Sequence, residues 1–221
     1  MFTRLSGSSW FKIKLNGKVI HIDPGYTGYF KSHGLPMTEF EEPGDLILIT
    51  HAHKDHLQLA ALDKIRKHGS IILAPKVCKD IINTQFRMVK PGDETKLEDF
   101  TVQVVHAYNT PEGHSTMKAH HMGDGVGYIV QIKQKTIYHS GDTDFIPEMK
   151  SFPPIDIALL PIGGTYTMDI SEAVQAVLAI QPKIVIPMHF LKADPDEFKR
   201  QVESKSHVEV LIIQPGQSIN I

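Results

Sequence analysis

Cysteine is nearly absent from this chain. Cys78 is the only one in 221 residues, so no internal disulfide framework can hold the fold. An excess of one charge is missing too: 23 Lys and Arg stand against 25 Asp and Glu, leaving a formal net charge of -2. Without a basic block there is no footprint for a large nucleic-acid surface. No apolar stretch is long enough to span a bilayer, and the first residues carry no charged, long apolar signal sequence. A cytoplasmic protein without membrane contact is the expectation. No Gly/Ser/Pro-rich linker or charge run divides the sequence, which predicts one domain over residues 1–221. No Gly-x-Ser-x-Gly nucleophile elbow is present either.

Histidine is what the chain has in quantity. Four potential metal ligands fall within six consecutive residues, His51-Ala52-His53-Lys54-Asp55-His56. They follow an apolar run, Leu46-Ile47-Leu48-Ile49-Thr50, that reads as a buried strand. Imidazoles and a carboxylate at the end of a buried strand each need a partner, and a metal ion supplies one to all of them. One small ion takes about four ligands. The simplest division gives His51 and His53 to one ion and Asp55 and His56 to its neighbour. Other strand ends also carry ligand types. Gly141 allows a tight turn after Thr136-Ile137-Tyr138 that would present Asp142. Ile184-Val185-Ile186-Pro187-Met188 is closed by His189. Three strands ending this way predict an α/β protein with its site at one rim of its sheets.

Local signals organise the rest. Asn16-Gly17 between two alternating runs predicts a β-hairpin over Phe11–Asp23. A helix is expected over Leu57–Ile65 with Gly69 as its stop, and a second helix opening at Pro75 around Cys78, which would then pack in the core. Strands are expected over Ile71–Ala74, Phe100–Ala107, Gly127–Ile132, Lys135–Ser140, Ile157–Pro161, Ile184–Met188 and Glu209–Ile213. Ser171–Ile180, capped by Asp169 or Ser171, and Asp194–Ser204 read as helices. Residues 109–124 form a long polar loop that holds His114, Lys118, His120 and His121; loops of this length in a compact domain tend to be functional.

The His-x-His-x-Asp-His hexad, Gly141-Asp142-Thr143 and the late His189 give the chain a resemblance to the metallo-β-lactamase-fold hydrolases. It is most similar to the small, single-domain branch that includes the ascorbate-phosphate lactonases. Ile22-Asp23-Pro24, Gly125-Val126-Gly127-Tyr128 and the stretch from Leu159 to Met168 extend the match over nearly the whole chain. The resemblance implies an α/β fold, a four-layer αββα sandwich. It implies His51 and His53 on a first metal, Asp55, His56 and His189 on a second, and Asp142 bridging both. It also requires a third histidine on the first metal, between the hexad and Asp142. His106, His114, His120 and His121 all lie in that interval. In this branch a histidine stands shortly before the Gly-x-Gly-Tyr strand, a spacing that His120 fits best. The branch's Gly-His near the N-terminus has no counterpart in Leu5-Ser6-Gly7-Ser8-Ser9.

The activity implied is hydrolysis of a small ester, lactone or phosphodiester by a hydroxide held between two divalent ions. Asp55 and Asp142 would be the catalytic carboxylates. Ligands without thiolate suit zinc, with manganese or iron as alternatives. The substrate is expected to be an anionic small molecule, met by Lys31, Lys118 or Lys192, or by backbone N–H groups in Gly163–Thr167. Solvated surface lysines and a plain turn are the competing readings of those residues. Thr50, Ser140, Thr143 and Asp144 stand near enough in sequence to orient the ligands. Homo-oligomerisation is left open. Three other functions compete: an RNA- or DNA-processing nuclease of the same fold, an iron-dependent redox enzyme, and a non-catalytic metal-binding protein. The nuclease reading lacks a basic stripe. His53 stands where oxygen-reducing relatives usually carry Glu.

Overall fold

The computed structural model describes residues 1–25 and 37–220, with the side chains of Met37 and Glu39 left out. Lys31 and His33 lie outside the described residues. The chain forms two compact units, Met1–Val89 with Ile213–Ile221, and Lys90–Ile212. Each is built on one seven-stranded mixed sheet.

The first unit contains β1 (Phe2–Arg4), β2 (Phe11–Leu15), β3 (Lys18–Ile22), β4 (Gly44–Leu48), β5 (Arg66–Pro75), β6 (Arg87–Val89) and β14 (Ser218–Ile219). Their order is β14-β1-β2-β3-β4-β5-β6, antiparallel as far as β3 and parallel from β3 to β6. The β2–β3 hairpin turns at Asn16 and Gly17, both left-handed (φ 54° and 76°), as a primed two-residue turn requires. In β4 and just beyond it, Leu46, Ile47, Leu48 and Ile49 are all fully buried, the pattern of a parallel strand covered on both faces. Helix α1 (Leu59–Ile65) covers one face. Its Ala61, Leu62 and Ile65 join Trp10, Ile47, Ile49, Ile72 and Cys78 in one core.

Two local expectations fail here. Gly69 does not end α1: the helix stops at Ile65, Arg66 is already extended, and Gly69 (φ 88°) lies inside β5, where the register with β4 slips. A left-handed glycine serves a bulge as well as a helix end, and the sequence does not separate the two. After Pro75 there is only a 3-10 turn over Lys76–Cys78. The β-branched Ile81, Ile82 and Thr84 do not propagate it. Cys78 nevertheless packs as expected, with burial pushing its thiol up to about 12.

The second unit contains β7 (Glu94–Lys96), β8 (Thr101–Ala107), β9 (Gly125–Ile132), β10 (Lys135–His139), β11 (Ile157–Pro161), β12 (Ile184–Met188) and β13 (Glu209–Val210). It also contains helices α2 (Ile170–Ile180) and α3 (Pro195–Lys205). The sheet order is β13-β12-β11-β10-β9-β8-β7, antiparallel from β7 to β10 and parallel from β10 to β13. The Asp169 carboxylate caps α2 by accepting the Glu172 N–H (2.8 Å), and Asp194 caps α3. Ala173 and Val177 of α2 and Phe198 and Val202 of α3 pack with Ala158, Leu160, Val185 and Val210 of the sheet. Four short strands, β1, β6, β7 and β14, carried no sequence signal long enough to read. Among the described residues no helix is long and apolar enough to cross a membrane.

Candidate metal centre

In both sheets the parallel strands finish along one edge, and the candidate ligands follow those ends. In the first unit, β3 runs into Asp23 and β4 runs through Ile49 and Thr50 into the hexad. Asp23 is fully buried and left-handed (φ 56°). Its carboxylate accepts the Thr50 N–H (2.7 Å) and the Thr50 hydroxyl (2.8 Å), and pairs with His56 Nδ1 at 2.7 Å. That contact fixes the His56 proton on Nδ1 and leaves Nε2 as the atom that could coordinate a metal, the orientation that carboxylate–histidine pairs give metal ligands. Nε2 of His56 stands 3.4 Å from Asp55 Oδ2, and Asp55 Oδ2 accepts the Ser8 hydroxyl at 3.2 Å.

His51 Nε2 and His53 Nδ1 are 3.1 Å apart. Two nitrogens on one tetrahedral zinc, each about 2.0–2.1 Å from it, stand about 3.3 Å from one another. The pair is therefore spaced so that it could share one ion. The turn that follows is closed by the His53 carbonyl, which accepts the N–H groups of His56 and Leu57 (both 2.9 Å). Gly25 lies against it so closely that a Cβ there would meet the backbone of Asp55. The chain's choice of glycine follows from that approach.

In the second unit, Gly141 (φ 63°) turns the chain after β10 and presents Asp142, which is buried. Asp142 Oδ2 lies 3.3 Å from His189 Nε2 and 3.5 Å from His120 Nε2. His189 sits just beyond β12 in a left-handed conformation (φ 50°), uncommon for a residue with a Cβ. His120 is buried and held from both sides. Its Nδ1–H donates to the Tyr166 carbonyl (3.1 Å), and its backbone N–H donates to Asn109 Oδ1 (2.9 Å). Asn109 Nδ2 in turn donates to the same Tyr166 carbonyl (2.9 Å) and to Asp144 Oδ1 (3.2 Å).

The four histidines left open by the sequence are thereby separated within this unit. His120 stands beside Asp142. His114 Nδ1 lies 3.0 Å from both Asp169 oxygens at the start of α2. Burial pushes the Asp169 carboxyl up, but the Glu172 N–H and the His114 ring outweigh it and hold the group below its ordinary value. His106 lies on β8 with its ring edge-on to Tyr108, and His121 is exposed beside Asp124.

The residues expected to orient ligands divide in the same way. Thr50 Oγ1 reaches His51 Nδ1 at 3.0 Å. Ser140 Oγ donates to the Gly141 carbonyl and serves the local turn, whereas Thr143 Oγ1 accepts the Tyr108 N–H and ties that turn to the chain just past β8, 35 residues earlier. Asp144 is fully buried and gathers the 109–124 loop, accepting the Thr110 N–H (2.9 Å), the Ser115 hydroxyl (2.9 Å) and Lys118 Nζ (3.2 Å). Lys118 is thus engaged inside its own loop, and Lys192 is exposed. The Gly164 N–H donates to the Met168 carbonyl (3.0 Å), so that donor of the 163–167 stretch is spent internally. Sequence reasoning missed Asp23 and Asn109 as positioning residues. Ile22-Asp23-Pro24 was a visible stretch, but nothing local pointed Asp23 at a histidine 33 residues away.

Comparison with known proteins agrees with this arrangement. The model of the β-lactamase superfamily domain matches residues 3–189, a span that runs through both units. A UPF0173 metal-dependent hydrolase of Pyrococcus horikoshii is 37% identical over 97% of this chain and 97% of its own. Among solved structures, the metallo hydrolase Igni18 of Ignicoccus hospitalis aligns with a TM-score of 0.77 at 30% identity, covering 99% of this chain and 96% of that one. A Parabacteroides distasonis protein named as a metal-dependent hydrolase gives 0.85 at 31%, covering 96% and 93%. The chain therefore belongs to the β-lactamase superfamily, among its UPF0173 metal-dependent hydrolases, and its two mixed sheets with their helices are a metallo-β-lactamase fold.

Proposed function

We propose that this chain hydrolyses a small-molecule ester, lactone or phosphodiester at a centre for two divalent ions, with zinc the favoured metal. On this reading His51, His53 and His120 would hold one ion and Asp55, His56 and His189 the other, groups whose donor atoms could each serve a metal. Asp142 would be the carboxylate common to both. The donor chemistry fits such ions: imidazole nitrogen and carboxylate oxygen without thiolate suit zinc, manganese or iron.

The observation that carries this reading is the anchoring of the ring nitrogens. Asp23 takes Nδ1–H of His56 and the Tyr166 carbonyl takes Nδ1–H of His120. Each contact fixes one tautomer and leaves Nε2 as the acceptor nitrogen, and in each case that nitrogen faces a candidate carboxylate, Asp55 at 3.4 Å from His56 and Asp142 at 3.5 Å from His120, a pairing that the anchored His21 and His114 lack among the described residues. When bound, a pair of divalent ions supplies a nucleophilic water at neutral pH and an electrophile for the oxygen of the scissile bond. The residues do the rest. Asp142 would orient the attacking water by accepting its hydrogen bond. Asp55, fixed by the Ser8 hydroxyl, holds its place beside His56.

Elemental analysis of the purified protein, with turnover of bis-(p-nitrophenyl) phosphate and of a lactone and ester panel before and after chelation, tests the proposal. Two equivalents of metal and chelator-sensitive hydrolysis are expected. A protein that binds no divalent ion, or that hydrolyses equally well after chelation, would overturn it.

A further inference from the structure

Among the described residues six large apolar side chains are exposed, and four of them, Met117, Met122, Tyr166 and Leu191, attend the ligands of the second unit. Met122 follows His120 by two residues, and Leu191 follows His189 by two. Met117, Tyr166 and Leu191 are gathered on the 163–167 turn. The Met117 N–H donates to the Thr165 carbonyl (2.7 Å), the Tyr166 carbonyl holds His120, and Leu191 lies so near Gly163 that a Cβ there would approach its Cδ1 at 3.1 Å.

Stability does not explain this placement. Leu191 is 54% exposed and left-handed (φ 49°). At such a position Gly or Asn is the comfortable residue, and a branched side chain that gains no burial adds backbone strain. Strain of this kind gathers where a site requires a particular side chain. Methionine is the residue of adaptable apolar surfaces. The cation nearest in this loop, Lys118, is committed to Asp144, Ser115 and the Gly113 carbonyl.

We propose that Met117, Met122, Tyr166 and Leu191 seat an apolar acyl or aryl group of the substrate, so that esters and lactones with a longer apolar group bind more tightly. The inference rests on the metal-hydrolase reading, since the patch is defined by its neighbouring ligands.

The test is calorimetric titration of the metal-loaded protein with straight-chain alkyl hydroxamic acids from aceto- to octanohydroxamate. The head group reports the metal centre and the tail reports the patch, with no turnover required. Kd should fall about two- to fourfold for each added methylene, the range for partly to fully buried apolar surface. Leu191→Ser and Met117→Ser should flatten this dependence, while Met88→Ser, exposed on β6, should leave it steep. Acetohydroxamate binding with a Kd indifferent to chain length, or equal flattening by Met88→Ser, overturns the patch and spares the metal centre. Failure of every hydroxamate to bind overturns both.

Discussion

His21 is an imidazole that the fold keeps neutral, and replacing it should change how stability depends on pH. It is fully buried; its Nδ1 accepts the Trp10 indole N–H (3.1 Å) and its Nε2–H donates to the Glu42 carbonyl (2.8 Å). Both nitrogens are satisfied only in the neutral tautomer. A second proton on Nδ1 would point at the Trp10 N–H. Burial lowers the pKa from 6.5 to about 4, the Glu42 carbonyl raises it in part, and Lys12, buried in an ion pair with Glu42, lowers it further. Between pH 6.5 and 4 the unfolded chain therefore binds more protons at this residue than the folded one, and stability falls as pH falls. The full difference amounts to about 3 kcal/mol, of which about 2 kcal/mol is lost between pH 8 and pH 5. The perturbation is His21→Gln, which keeps an acceptor for Trp10 and a donor for Glu42 and does not titrate. The assay is urea unfolding of both proteins in chelator, so that the ligand histidines contribute equally to each. At pH 8 the variant should be less stable by about 1 kcal/mol through imperfect hydrogen bonds. By pH 5 that deficit should vanish or reverse, the two stabilities having moved by about 2 kcal/mol relative to each other. A deficit unchanged between pH 8 and pH 5 would refute the reasoning.

Four further predictions concern the centre. Asp142→Ala should abolish hydrolysis and remove most of one metal equivalent while circular dichroism stays native; full activity would sink the two-ion mechanism. His120→Ala should lower metal content more than His114→Ala or His106→Ala, and the reverse order in elemental analysis would reassign the third histidine. Asp23→Asn should weaken metal binding about 10- to 100-fold in chelator competition, because the partner that fixes the His56 tautomer is gone; unchanged affinity would leave Asp23 a packing residue. Gly25→Ala drives a Cβ into the Asp55 backbone and should cost about 1–3 kcal/mol in urea unfolding, together with metal affinity. A neutral effect on both would mean the turn yields freely.

The sequence alone determined whatever local pattern encodes. Alternation and apolar runs located the longer strands, Asn16-Gly17 the hairpin, Asp169 one of two candidate caps for α2, Asp194 the start of α3, and the hexad, Asp142 and His189 the strand-end ligand types. Each of these signals is complete within a few residues, so no distant contact is needed to read it. Spacing in the resembled branch favoured His120 among the four histidines, but only the tertiary structure set it beside Asp142. That placement depends on the Tyr166 carbonyl, 46 residues beyond His120, and on Asn109, partners that spacing does not reveal. It also decided that Asp23 serves His56 and that Lys118 is taken up by Asp144. A side chain's hydrogen-bond partner is fixed by which strand ends the sheet brings to one edge. That ordering is a property of the paired strands together, not of any segment read by itself.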